Sequence, residues 1–205
     1  TARAAQRQFQ AAVEADEDYG AAWAMLSRVQ TLIANSYPSD VPLAESYAVA
    51  LASARRAVEV APDLAAAHAA LGFVVFNGRL DATRARDPML EAYRLGQGDA
   101  DILQLYATYA ARTGDFESAN NAIDRAIRLD PLNAVARRTQ ATILSNSGDF
   151  AKARRAAAEA LRLNPDMRVV HRLLADMLYL EGKYSAARKE YEAEESMLSR
   201  LPGLA

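Results

Sequence analysis

The chain has 205 residues, 51% of them hydrophobic and 24% charged, a composition of folded rather than disordered proteins. Its formal net charge of −2 argues against general affinity for nucleic acid, which requires clustered basic charge. It contains no cysteine, which excludes disulfides and thiolate metal sites, and it has no apolar run long enough to span a membrane.

A short phrase returns every 34 residues in the second half of the chain. It reads Gly114-Asp115-Phe116, then Gly148-Asp149-Phe150, then Gly182-Lys183-Tyr184, and an alanine follows each aromatic residue by three positions. A helix-sized period with fixed small residues predicts a stacked helical solenoid rather than a globular core around one active site.

In chain order, the period predicts a half repeat, five full repeats and a short tail. Their bounds are 1–19 for the half repeat, 20–64, 65–99, 100–133, 134–167 and 168–201 for the full repeats, and 202–205 for the tail. The half repeat corresponds to a second helix without its first, and the chain begins at Thr1 with neither methionine nor signal peptide, so we expect further protein upstream. At the other end, Glu194 and neighbouring glutamates predict the polar outer face of a capping helix.

The 20–64 repeat is longer than the others by 11 residues between its paired helices, at 31–42. Pro42 suits the first turn of a helix, so we expect the second helix to start near it. The additional residues would lengthen both helices by about a turn and a half, roughly 8 Å. The segment is either a tolerated loop insertion or a contact site.

The 65–99 repeat carries Asp87-Pro88 inside its expected second helix. Proline in a helix interior removes a backbone hydrogen bond and clashes with the preceding turn, at a cost of about 3 kcal/mol. We therefore expect a kink there, or a short helix from Pro88 to Leu95 capped by Asp87.

The 134–167 repeat has Arg137 and Gln140 where the other repeats favour large apolar residues. Burying Gln140 without partners would cost about 1–3 kcal/mol. We expect Gln140 to be hydrogen-bonded, to be partly exposed, or to mark a weaker repeat where the solenoid can flex.

Small residues recur at three positions when Ala134 is counted as position 1, which lets antiparallel helices approach closely. They are Ser27, Gly72, Ala107, Ala141 and Ala175 at position 8, Ala50, Ala85, Ala119, Ala153 and Ala187 at position 20, and Ala12, Ala57, Ala92, Ala126 and Ala160 at position 27.

With Trp23-Leu26, Leu71-Gly72, Ala119-Ile123-Ala126-Pro131 and Ala153-Ala160-Pro165 in register, the chain resembles the tetratricopeptide repeat family over nearly its whole length. The resemblance implies an all-α, right-handed α-solenoid of about eleven helices arranged as antiparallel pairs. It also implies an inner groove formed by the first helix of each pair, and a role as a protein-interaction module.

The sequence gives no indication of an enzyme, a cofactor or a metal site. His68 and His171 both hold position 4 of their repeats, where they are expected to pack against the helix pair, and they lie three repeats apart. There is no phosphate-binding glycine loop, no Gly-x-Ser-x-Gly elbow and no cluster with metal-ligand spacing.

In this family the ligand surface is built from positions 2, 5, 9, 12 and 13 of the first helices. The resemblance assigns to this groove Arg28, Phe73, Phe76, Asn77, Gln104, Thr108, Arg112, Arg138, Thr142, Asn146, Arg172, Asp176 and Tyr179. Arg138 and Arg172 both hold position 5 of adjacent repeats and are expected to form a basic ladder. Residues 134–172 include eight Lys or Arg and three Asp or Glu, a local net charge of +5.

An acidic peptide is the natural partner of such a groove, because arginine forks pair bidentately with carboxylates. Phe73 and Phe76 would add an apolar anchor pocket. The alternative is that the arginines are solvated or paired with Asp176 and Glu159. Some family members clamp the carboxyl terminus of heat-shock chaperones with Lys and Asn at positions 5 and 9, and no repeat here has that pair.

A second hypothesis is structural. The long first repeat followed by alanine-rich repeats also resembles bacterial regions attached to winged-helix regulators or nucleotide cyclases. The solenoid would then form homo-oligomers or act as a spacer for an upstream domain, through the 31–42 segment or the open first helix. A sensor of a small ligand would need a closed pocket near Phe73 and Phe76 and ranks last. No targeting sequence is present, and a cytoplasmic location is favoured over a periplasmic one.

Overall fold

The computed structural model describes residues 1–36, 41–167 and 169–199, and within these ranges the chain is all-α, with eleven helices and no strand. The helices are α1 Ala2–Ala15, α2 Gly20–Ser36, α3 Leu43–Val60, α4 Ala65–Arg79, α5 Ala82–Leu95, α6 Ala100–Arg112, α7 Phe116–Leu129, α8 Ala134–Asn146, α9 Phe150–Leu163, α10 Val170–Leu180 and α11 Tyr184–Ser199. The predicted fold class, an all-α solenoid of about eleven helices, is confirmed.

The phrase that returns every 34 residues is a helix stop followed by a helix start. Gly114, Gly148 and Gly182 have φ of +88°, +85° and +75°, the left-handed conformation that glycine adopts without steric cost. Asp115 and Asp149 then cap the next helix, since their carboxylates accept hydrogen bonds from the backbone N–H three residues on, at 3.0 and 3.1 Å. The sequence motif therefore encodes the turn between paired helices.

The chain divides into two compact units, Thr1–Tyr109 and Ala110–Ala205. In the first, a core of small side chains joins α2, α3 and α4, and in the second a similar core joins α8, α9 and the start of α10. Thirteen of the small residues at positions 8, 20 and 27 are at most 1% exposed, including Ser27, Ala50, Ala141 and Ala160. These side chains set the close approach of the paired helices.

The helices that flank the insertion are the longest in the described part of the chain. α2 has 17 residues and α3 has 18, whereas α4 to α9 have 13 to 15, so each gains about one turn. α3 begins directly after Pro42, which confirms the expected start. The middle of the insertion, 37–40, lies outside the described residues.

The predicted shortening of the second helix at Asp87-Pro88 is wrong. α5 runs without interruption from Ala82 to Leu95 with Pro88 inside it. Asp81, rather than Asp87, caps the helix by accepting a hydrogen bond from Arg84 N at 2.9 Å. Tertiary packing offsets the lost backbone bond, because the side chains on either side of the proline, Ala85 and Met89, are buried in the helix contacts.

The expected polar outer face at Glu194 is also corrected. Glu194 is 8% exposed, and its Oε1 accepts a hydrogen bond from Val169 N at 2.8 Å. Val169 has φ +77°, an unusual conformation for a β-branched residue, and stands at the N-terminus of α10. The glutamate side chain is long enough to reach the N-terminus of α10, whereas the alanine found at this position in the other repeats is not. Its negative charge and its oxygen stabilise the N–H groups that have no partner within the helix.

None of the described helices combines the length and apolar character needed to cross a membrane.

Candidate functional site

The groove residues assigned by the resemblance fall in both compact units, and those of the first unit are half-buried. They are Arg28 on α2, Phe73, Phe76 and Asn77 on α4, and Gln104 and Thr108 on α6. Two of the polar side chains bond their own helix: Asn77 Nδ2 donates to Phe73 O at 2.8 Å, and Thr108 Oγ1 donates to Gln104 O at 2.9 Å. These bonds hold both side chains in a defined rotamer.

Arg28 already faces negative charge. Burial lowers the pKa of its guanidinium below the ordinary value, and the nearby carboxylates of Asp101 and Asp99 act in the opposite direction. The sequence did not assign either aspartate to the site. A ligand anion would have to compete with both of them for Arg28.

The predicted apolar anchor in the first unit is part of an aromatic contact. The ring of Phe76 meets the ring of Tyr109 edge-on, with centroids 5.4 Å apart. Tyr109 in turn donates its hydroxyl to Ala82 O at 2.8 Å, and burial raises the pKa of this phenol. The ring of Phe76 therefore packs against a tyrosine whose own position is held by a hydrogen bond.

The groove residues of the second unit are more exposed. Arg138 on α8 is half-buried, and the others, Arg112, Thr142, Asn146, Arg172, Asp176 and Tyr179, are exposed. Thr142 Oγ1 donates to Arg138 O at 3.1 Å, and the ring of Tyr179 meets that of Tyr184 edge-on at 5.2 Å. This unit therefore presents its polar groups to solvent.

The guanidinium groups of Arg138 and Arg172 form no hydrogen bond or ion pair with any residue that the structure describes. The two carboxylates considered as internal partners are engaged elsewhere. Asp176 accepts a hydrogen bond from Tyr191 Oη at 2.6 Å, and Glu159 accepts one from Arg162 Nε at 2.8 Å. Pairing with the residues that the structure describes therefore does not account for these arginines.

Tyr191 joins this surface from α11, which the sequence did not predict. Its hydrogen bond to Asp176 raises the pKa of the phenol, with burial adding to the effect and Arg172 opposing it. The electrostatic influence of both Asp176 and Arg172 on one hydroxyl indicates that the three side chains are neighbours.

A separate cleft of about 260 Å³ lies between α8 and α9. Its lining is Arg137, Gln140, Leu144, Lys152, Arg155, Ala156 and Glu159. Gln140 Nε2 donates to Asp124 Oδ1 of α7 at 2.8 Å, and Gln140 Oε1 lies 3.4 Å from Arg137 Nη1. The expectation that Gln140 is hydrogen-bonded and partly exposed is confirmed.

Both histidines make local bonds that fix the helix packing. His68 Nε2 lies 2.6 Å from the carbonyl oxygen of Pro62, and His171 Nδ1 lies 2.8 Å from Glu190 Oε2. Within the described ranges, no three His, Cys, Asp or Glu side chains come together as a metal site would require.

Paired helices joined by glycine turns, with alanine at their contacts, define an α-solenoid. Residues 138–197 match the family model of the tetratricopeptide repeat, and this match supports the resemblance of the chain to that family. This fold supports a protein–protein interaction module, and proteins of the family are generally scaffolds rather than enzymes.

Solved structures with the same fold share little sequence with the chain. YrrB, described as a tetratricopeptide repeat protein with an unusual peptide-binding site, is 17% identical, with a TM-score of 0.59 over 94% of this chain and 93% of YrrB. PilF of Pseudomonas aeruginosa is 23% identical, with a TM-score of 0.64 over 83% and 76% of the two chains. The Cut9–Hcn1 structure gives a TM-score of 0.77 at 16% identity, over 98% of this chain and 38% of the other. No curated protein matches the sequence.

Proposed function

We propose that the chain binds an acidic segment of a partner protein, with Arg138 and Arg172 as its anchors, and that it does so without a catalytic activity, a cofactor or nucleic acid. The observation that carries this proposal is that two arginines hold the same position in consecutive repeats and that neither guanidinium forms a hydrogen bond or ion pair with a described residue. Their helices, α8 and α10, are in contact.

The charge around these arginines favours an anionic ligand. Residues 134–172 carry a net charge of +5 in a chain of net charge −2. Two of the three carboxylates in this stretch are committed to their own helix, since Asp149 pairs with Lys152 and Glu159 with Arg162, both at 2.8 Å. Guanidinium groups bind carboxylates through two parallel hydrogen bonds, which suits glutamate or aspartate side chains.

The same reasoning places the acidic contact in the second compact unit. In the first unit, Asp99 and Asp101 already act on the charge of Arg28, and a ligand anion would have to compete with them. Phe73 and Phe76 are half-buried and would offer apolar contacts to a partner instead. We expect Thr142, Asn146 and Tyr179 to add polar contacts beside the two arginines.

A fluorescence polarisation titration with labelled hexaglutamate tests the proposal. Replacing both anchors, Arg138→Gln/Arg172→Gln, should weaken binding by roughly 5- to 30-fold, because each exposed ion pair contributes up to about 1 kcal/mol. The control Arg128→Gln/Lys189→Gln removes the same charge from exposed sites on α7 and α11. An equal loss in both double variants would show that only overall charge matters and would reject the anchors.

A second candidate function is self-association through the extended tips of α2 and α3. Leu32, Val41, Leu43 and Val49 are 46–55% exposed there, and apolar patches of this kind mark contact sites. Sedimentation velocity over a range of concentrations tests this candidate. A dimer that Leu43→Glu/Val49→Glu abolishes would support it, and a monomer at every concentration would exclude it.

A further inference from the structure

We propose that the α8–α9 cleft is a second docking site for an acidic protein segment, separate from Arg138 and Arg172. The cleft holds the guanidinium groups of Arg137 and Arg155, the ammonium of Lys152 and one carboxylate, Glu159. Because Glu159 is paired with Arg162 outside the cleft, the lining carries an excess of positive charge.

Neither arginine of the cleft is neutralised within the described part of the chain. Arg137 and Arg155 have no carboxylate oxygen within 4.0 Å, and the nearest polar contact of Arg137 is the neutral amide of Gln140 at 3.4 Å. The Nε of Arg137 is buried and donates to no acceptor. Lys152 is paired with Asp149 at 2.8 Å, and the charge of Arg155 also acts on Asp149. Two guanidinium groups therefore remain available to a ligand carboxylate.

The fold itself does not require a polar residue at position 7 of this cleft. The equivalent cleft of the 65–99 repeat, about 250 Å³ in volume, also has two arginines in its lining, Arg55 and Arg84, but it has Leu71 at the place of Gln140. Leu71 and Gln140 both hold position 7, where two other repeats have leucine. A buried polar group without a partner lowers stability, so the Nε of Arg137 weakens the packing of this repeat. A role in binding acidic groups explains why the polar lining is here.

The occupant that fits is a peptide segment with neighbouring glutamate or aspartate side chains. The cleft accepts a side chain rather than a folded element, given its volume. Its floor of Leu144 and Ala156 would cover the methylene groups of a glutamate while the guanidinium groups bind the carboxylate. This proposal concerns different residues from the anchors Arg138 and Arg172, and either can fail without the other.

The chain offers a direct readout, because it has only three lysines and Lys152 alone lines the cleft. A carbodiimide joins a bound carboxylate to a nearby amine without a spacer. Labelled hexaglutamate is coupled to the whole chain in this way, and the modified lysines are identified by mass spectrometry. We expect the crosslink at Lys152 to exceed those at Lys183 and Lys189 by at least about 5-fold, the factor that corresponds to one ion pair.

Variants separate the cleft from the anchors. Arg137→Gln/Arg155→Gln should lower the Lys152 crosslink by about 5-fold or more, while Arg138→Gln/Arg172→Gln leaves it unchanged. The single variant Arg155→Gln changes an exposed side chain and guards against loss of folding, which circular dichroism checks. Equal crosslinking of all three lysines, or a Lys152 crosslink insensitive to both cleft variants, overturns the proposal. The cleft variants could lose the Lys152 crosslink while Arg138→Gln/Arg172→Gln binds hexaglutamate as tightly as the unmodified chain in the polarisation titration. This result would reject the anchors and leave the cleft proposal intact.

Discussion

Replacing Gly148 with alanine tests whether the repeated phrase works as a left-handed helix stop. Gly148 has φ +85°, and a Cβ built on it meets no atom within 4 Å. Any loss of stability must therefore come from the backbone and not from packing. The left-handed conformation costs a non-glycine residue about 1–2 kcal/mol. Alanine also lowers the conformational entropy of the unfolded chain, which offsets about 0.4–1 kcal/mol of this cost. We expect a net loss of about 1 kcal/mol.

Urea denaturation followed by circular dichroism measures this loss. With a slope of about 2 kcal/mol per molar urea, the midpoint should fall by about 0.5 M. The midpoint of Gly148→Asn should fall less, because asparagine tolerates the left-handed region. The matched control is Gly98→Ala, where a Cβ also meets nothing within 4 Å and φ is not left-handed. A midpoint for Gly148→Ala equal to or above the control would refute the reasoning.

Three further predictions concern the packing and the caps. Glu194→Ala should destabilise the chain by about 1–3 kcal/mol, because Val169 N loses its buried acceptor, while Glu194→Gln retains an acceptor and should cost less; equal urea midpoints would contradict this. Ala141→Leu should cost about 1–3 kcal/mol by overpacking a side chain that is fully buried at a helix contact, and an unchanged thermal midpoint would contradict that packing. The caps Asp115 and Asp149 have pKa values lowered chiefly by hydrogen bonds from Ser118 and Lys152, so their stabilisation is present above the unfolded-state pKa and is lost as pH falls through the lower folded-state value. In Asp115→Asn/Asp149→Asn, the free energy of unfolding should therefore decrease less on acidification than in the unmodified chain. If the free energy of unfolding depends on pH in the same way in both proteins, the caps do not cause the acid sensitivity.

Much of the fold could be predicted from the sequence because the repeat makes each local signal appear several times. Alanine at positions 20 and 27 predicts a close helix contact, and Ala119 and Ala126 are fully buried, as are Ala153 and Ala160. The glycine and aspartate of the phrase predict a helix boundary, which the structure has at Asp149. These signals are local, so they depend little on the rest of the chain.

The features that the sequence did not predict depend on tertiary contacts. Pro88 disfavours a helix locally, yet the buried neighbours of the proline keep α5 intact. Glu194 is polar and suggests an exposed face, but its carboxylate reaches the N-terminus of α10, 25 residues away in sequence. The order of residue types along the chain does not show which side chains from different helices come into contact.

The candidate site was predictable only in part for the same reason. The position-5 arginines, Arg138 and Arg172, follow from the repeat register, and the resemblance assigns them to the groove. The carboxylates near Arg28 and the bond from Tyr191 to Asp176 do not follow from it, because they involve helices other than the one that carries the groove residue. These contacts decide which arginines remain available to a ligand.

Charge reversal at the two anchors tests the central claim most directly. In a background where Arg137→Gln/Arg155→Gln removes the cleft, the chain should bind hexaglutamate and not hexalysine, and adding Arg138→Glu/Arg172→Glu should invert that order. Both preferences should weaken between about 0.05 M and about 0.5 M salt, since salt screens exposed charges. Reversal at control sites, Arg128→Glu/Lys189→Glu, should leave the order unchanged. An order that stays the same in the anchor variant, or that inverts equally in the control, would contradict the claim that Arg138 and Arg172 select an acidic partner.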